Sequence, residues 1–102
     1  MRAPEEAGIV SKLRDPDAAS KAAAWIAALG KAANIERVDS CAETRLRIVL
    51  RDETGVDETA LRGKGIDAVV RLPNKTLHLL AGLNADQYAA EMRAQLSAPV
   101  AA

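Results

Sequence analysis

The chain has 102 residues, enough for one domain, because compact domains mostly run to ~100–150 residues and no second core fits. Fourteen Lys and Arg balance fourteen Asp and Glu, and residues 1–51 differ from the rest only as +2 against −2, which excludes the basic surplus that nucleic-acid binding needs. Trp25 and Tyr88 are the only aromatic side chains, so no base-stacking platform can be built, and the longest apolar run, residues 22–29, falls far short of the ~20 residues that span a membrane.

In chain order, residues 1–14 mix Pro, Gly and charge without a sustained period and read as a flexible leader or linker. Asp15 and Pro16 open a helix, Asp15 as its cap and Pro16 at the first helical position, where a missing N–H costs nothing. Ala22, Trp25, Ile26, Leu29 and Ala33 follow at spacings of three and four, which predicts a helix over 16–33 with one apolar stripe. From Asn34 the period becomes two. Ile35 and Val38 fit a strand ending near Ser40; over 44–51, Leu46, Ile48 and Leu50 alternate with Arg45, Arg47, Val49 and Arg51. Two strands so close in sequence make a hairpin with Cys41, Ala42 and Glu43 in or beside its turn.

A turn over 52–55 leads to a short helix through Val56, Ala60 and Leu61, closed by Gly63 or Gly65. Residues 68–72 and 76–81 form a second hairpin around Pro73, Asn74 and Lys75, all turn formers. A last helix opens at Asn84 with Gln87 completing a capping box, and Tyr88, Met92 and Leu96 run down one face. The fold class is therefore α+β, a four-stranded antiparallel sheet with helices packed on one face in the order α-β-β-α-β-β-α. The domain spans 15–97, followed by a flexible tail over 98–102. With 22 alanines, its core must be thin and its helices close to the sheet.

The chemistry concentrates between Asp39 and Arg47. A cysteine at a hairpin tip is exposed, and guanidinium groups near a thiol favour the thiolate, its nucleophilic form. The same arginines can clamp phosphate oxygens through bidentate, charge-assisted bonds. Phosphoryl transfer, which depends on positioning and on neutralising charge, suits such a set. Against it stands the plainer reading of Cys41 as a small buried side chain and of the arginines as a solvated sheet face. One cysteine and one histidine, His78, offer no zinc-ligand spacing. The lone cysteine, with no signal-peptide pattern in MRAPEEAG, points to a reducing cytoplasm. Trp25 reads as a core anchor, Asp39 as a strand-end residue and His78 as a half-exposed strand residue.

Asn34-Ile35, Asp39-Ser40-Cys41, Thr44-Arg45-Leu46-Arg47, Val56-Asp57, Leu61, Gly65 and Gly82 together resemble the enzyme IIB domain of the glucose and N-acetylglucosamine branch of the bacterial sugar phosphotransferase system. The resemblance covers about residues 19–96, and its most specific element is a cysteine shortly before Thr-Arg-Leu-Arg. It implies that Cys41 accepts phosphate from a phosphohistidine of a IIA domain and passes it to a hexose or N-acetylhexosamine bound by a membrane IIC permease. By position, Thr44 would line the loop and Arg45 and Arg47 would support the phosphate. No metal or organic cofactor is implied, and the domain would work at the inner face of the membrane through IIC without inserting itself. The rival reading is a regulatory IIB-like binding module that reports sugar status without catalysis.

Two positions depart from the family pattern. Ala42 and Glu43 both separate Cys41 from Thr44 where the family usually has one residue, and His78 stands where it often has Gln. A one-residue shift of the second strand would turn Leu46 and Ile48 to water and carry two unpaired guanidinium groups into the core. The turn is therefore expected to absorb the extra residue, with Glu43 in solvent.

Overall fold

A computed structural model describes residues 14–97. The expected leader, apart from Arg14, and the tail lie outside the described residues. Helix α1 (Ala18–Ala28) and a 3-10 turn (Ala32–Asn34) precede strands β1 (Ile35–Cys41) and β2 (Arg45–Leu50). Helix α2 (Glu58–Gly63), strands β3 (Ala68–Leu72) and β4 (Thr76–Leu80) and helix α3 (Ala85–Ser97) complete the order read from the sequence.

The apolar stripe of α1 is buried as expected through Ala22, Trp25, Ile26 and Leu29, but the helix stops five residues before Ala33, which is exposed. Gly30 is the reason. Its φ of +104° is open to glycine at little cost, and the Gly30 N–H donates to Ala27 O (3.2 Å) while the Lys31 N–H donates to Ile26 O (2.9 Å). This pair of bonds closes the helix by consuming its last carbonyls. A Cβ on Gly30 would lie 2.7 Å from Asn34 Nδ2, whose amide donates to Leu29 O (2.8 Å) and Asp52 O (2.7 Å) and so fixes where β1 begins. Gly65 (φ +101°), one of the two glycines expected to close α2, ends that helix in the same way, with Ile66 N–H donating to Leu61 O at 3.2 Å.

Two expected caps take different work. Helix α1 starts at Ala18, not Pro16, and Asp15 is not its cap. One Asp15 carboxylate oxygen accepts the Asp17 N–H (2.8 Å), and the other accepts Lys21 Nζ (2.6 Å) and the Tyr88 hydroxyl (2.5 Å). Gln87 does not complete a capping box on Asn84. Its side chain accepts the Asp15 N–H (2.8 Å) and donates to Asp15 O (3.0 Å). The entering chain brings a backbone N–H that no helix or strand pairs, and the Gln87 amide oxygen accepts it, while the amide nitrogen shares Asp15 O with the Ala18 N–H (3.2 Å).

This latch joins the start of α1 to α3. The Lys21 ammonium, then the Tyr88 hydroxyl, hold the Asp15 carboxyl down to about 2 from 3.8, and the bond that Lys21 donates to Asp15 raises the pKa of Lys21. A depressed carboxyl stabilises the fold above its unfolded pKa, and the contribution disappears as pH falls through the folded value. The melting temperatures of the parent and Asp15→Asn are thus expected to differ most at neutral pH and to converge between about pH 4 and 2. An equal difference at pH 7 and pH 2 contradicts the latch.

The sheet order is β1-β2-β4-β3 with every neighbour antiparallel. Central strands β2 and β4 carry the densest core, since Leu46, Ile48, Leu50, Leu77 and Leu79 are all buried. Helix α3 lies over β1 and β2, while α1 packs against α3 and α2. The helices thus occupy one face, and buried Ala18, Ala22, Ala85 and Ala89 provide the expected thin packing. The other face of β1 and β2 is open, and it carries the residues singled out for chemistry.

Candidate functional site

Cys41 is the last residue of β1, and a three-residue turn over 42–44 returns the chain to Arg45 at the start of β2. Ala42 takes a left-handed φ of +64°, a conformation that costs a residue with a Cβ of order 1 kcal/mol or more. The extra residue is absorbed here, with Glu43 exposed and the register of β2 as expected. The only irregularity in β1–β2 pairing lies at the far end, between Ile35 and Arg37. Thr44 O accepts the N–H of buried Ala81 (2.8 Å), which fastens the turn to the connection after β4.

Register decides what shares the open face. Cys41 pairs with Arg45, and Asp39 with Arg47. Across β2, Arg45 pairs with Leu80 and Arg47 with His78. Directly opposed residues point to the same face with Cβ atoms ~4.5–5.5 Å apart. One row therefore reads Cys41, Arg45, Leu80, Ala68, and the next Asp39, Arg47, His78, Val70. Cys41 is half-buried, Arg45 and Arg47 are exposed, and His78 is half-buried as expected.

The structure brings Cys41 and Arg45 together across the hairpin, with Arg47 one pair further along; Thr44 contributes its carbonyl to the turn. Among the described residues, neither Arg45 nor Arg47 has a side-chain hydrogen bond or an ion pair. Other arginines are engaged: Arg51 with Glu36 (3.6 Å) and Arg71 with Glu58 (2.9 Å). A thiol beside two uncommitted guanidinium groups can receive an oxyanion without first breaking an ion pair. Among the described residues no group of three or more His, Cys, Asp and Glu side chains could hold a metal ion. No helix among them is long and apolar enough to cross a membrane.

The sequence reading missed the surroundings of Asp39. This strand residue holds Arg37 (3.2 Å) and Arg93 (3.6 Å), and Arg93 also donates to Val38 O (2.7 Å). An alternating pattern puts Arg37 and Asp39 on one strand face, but nothing local announces Arg93, which comes from α3.

A four-stranded antiparallel sheet with its helices on one face is a fold found among known proteins. A solved structure of one domain of the phosphotransferase-system IIabc component from Clostridium difficile matches it in fold with a TM-score of 0.64, covering 78% of this chain and 84% of that one at 19% identity. The family described as phosphotransferase system, EIIB, matches residues 23–57. The N-acetylglucosamine-specific EIIB component of Streptomyces coelicolor is 38% identical over 74 residues, which cover 72% of this chain and 94% of the relative. The N-acetylglucosamine-specific EIICBA component of Klebsiella pneumoniae is 34% identical over 82 residues, 79% of this chain. The chain spans 12% of the length of that larger relative. The chain belongs to the EIIB family of the phosphotransferase system, in its glucose and N-acetylglucosamine branch.

Proposed function

We propose that the protein relays a phosphoryl group in sugar uptake, with Cys41 as the carrier. The observation that carries this reading is the placement of Cys41 directly opposite Arg45, with Arg47 on the same open face and both guanidinium groups uncommitted among the described residues. The Cys41 thiolate attacks the phosphorus of a phosphohistidine on a IIA domain. The S–P bond forms as the P–N bond breaks, and the imidazole nitrogen leaves with the electron pair. In the second transfer the 6-hydroxyl oxygen of a sugar held by a IIC permease attacks the same phosphorus, loses its proton to solvent and regenerates the thiolate. Covalent catalysis thus divides one transfer into two.

The arginines neutralise charge on the equatorial oxygens in both steps, while Thr44 holds the turn through its carbonyl. The names of the relatives favour N-acetylglucosamine over other hexoses as the final acceptor. Work beside IIC at the cytoplasmic face of the membrane follows from the same reading. The regulatory-module alternative draws support from Glu43, an anionic residue exposed in the turn next to Cys41. Glu43 repels an incoming phosphoryl group, although high dielectric reduces that effect at an exposed site.

Arg45→Lys and Arg47→Lys test the arginine roles, and phosphate acceptance by the parent separates the two readings. Lysine keeps the charge and loses the planar fork, so each variant is expected to fold normally and to transfer phosphate from a phosphorylated IIA donor roughly tenfold or more slowly, the effect of ~1.4 kcal/mol. Parental transfer rates in both variants contradict the arginine roles. A folded parent that binds the donor without accepting phosphate favours the regulatory module.

A further inference from the structure

Asp39 sits directly opposite Arg47 on the open face, where an oppositely charged cross-strand pair would ordinarily form. Its carboxylate is instead held by Arg37 (3.2 Å) and Arg93 (3.6 Å), while Arg47 has no partner among the described residues. Arg37 reaches it from two positions back on the same face of β1. Arg93 reaches it from α3 and is anchored by its 2.7 Å bond to Val38 O. Two cations thus share one carboxylate, and the cation nearest to it in sheet register is left out.

Asp39 is also two residues before Cys41 on the same strand and face, ~7 Å away by strand rise. An unneutralised carboxylate there would oppose any anion arriving at the thiol and offer Arg47 a resident partner. We propose that Arg37 and Arg93 are positioning residues that sequester the Asp39 carboxylate from Arg47, and so keep the Cys41 face open to an oxyanion. The inference rests on the reading of that face as an anion-receiving site. Neither arginine needs to touch the phosphoryl group, since Arg37 lies four residues from Cys41, ~13 Å along the strand and beyond one Debye length at 0.1 M salt.

The test needs no phosphodonor, so its failure is distinct from failure of the relay. Cys41 is the only cysteine, and its alkylation by anionic iodoacetate and by neutral iodoacetamide at one pH gives a rate ratio in which the thiolate fraction cancels. A unit charge ~7 Å away changes the local concentration of a monoanion roughly threefold in water. The ratio is therefore expected to fall by up to about threefold in Arg37→Gln/Arg93→Gln and by a smaller, measurable factor in Arg37→Gln, where Arg93 still holds the carboxylate, at low ionic strength. Adding Asp39→Asn to either should restore the parental ratio or exceed it. Because Arg93 also supports a backbone carbonyl, Arg37→Gln alone decides the matter if the double variant does not fold. An unchanged ratio in Arg37→Gln overturns the inference, as does a fall that Asp39→Asn fails to reverse.

Discussion

Cys41→Ser is expected to abolish acceptance of phosphate from a phosphorylated IIA donor, by at least about a thousandfold, while leaving the fold unchanged. A hydroxyl keeps the size and position of the thiol but does not ionise near neutral pH, whereas a thiol does so to a few per cent even when free. In the proposed relay, positive charge at Arg45 and Arg47 assists a nucleophile and neutralises the phosphoryl oxygens but does not supply the attacking atom. Transfer of radiolabelled phosphate to the purified variant measures the effect, with circular dichroism as the control for folding. Substantial labelling of Cys41→Ser would mean that the acceptor is another residue.

Trp25→Ala is expected to produce the largest loss of stability, about 3–5 kcal/mol. Trp25 is 1% exposed, stands edge-on to Tyr88 with ring centroids 4.9 Å apart, and donates its indole N–H to Lys64 O at 3.2 Å. It therefore joins α1 to α3 and to the end of α2. No other side chain in this alanine-rich core matches its volume, and small neighbours have little freedom to fill the space it leaves. Trp25→Phe retains a ring without the indole donor and should cost less than the alanine variant. Urea denaturation measures both losses. A cost below about 1 kcal/mol for Trp25→Ala would show that the helical layer holds together without this anchor.

Local pattern made much of the fold legible. The alternation from Arg45 to Leu50 assigns each side chain of β2 to a face, and the Pro73-Asn74-Lys75 turn marks the second hairpin, with Asn74 and Lys75 in the left-handed region (φ +65° and +59°). Helix ends were less legible. Ala33 continues the apolar period of α1, yet a glycine closure anchored against Asn34 ends the helix first. Gln87 has the spacing of a capping box, but the backbone N–H and C=O of Asp15, 72 residues away, hold its side chain.

Contacts across the sheet depend on strand order, which local periodicity does not contain. That Arg47 lies between Asp39 and His78 follows from β4 pairing with β2, and this pairing skips α2 and β3 in the chain. The closeness of Cys41 and Arg45, by contrast, was visible because both flank one short turn, although the strand runs on to Cys41 where the sequence suggested an end near Ser40. What the sequence could not disclose is that Asp39 is occupied by Arg93 from the last helix, leaving Arg47 without a partner among the described residues.

The carrier role of Cys41 is tested most directly by locating the phosphoryl group itself. The intact protein is incubated with a phosphorylated IIA domain under conditions that preserve thiophosphate and phosphoramidate bonds, then mapped by mass spectrometry alongside alkylation of the remaining thiol. The expected result is one phosphoryl group per chain on Cys41, with the labelled fraction protected from alkylation and none on His78. Phosphate on His78, or no incorporation into a folded protein that binds the donor, would contradict the relay.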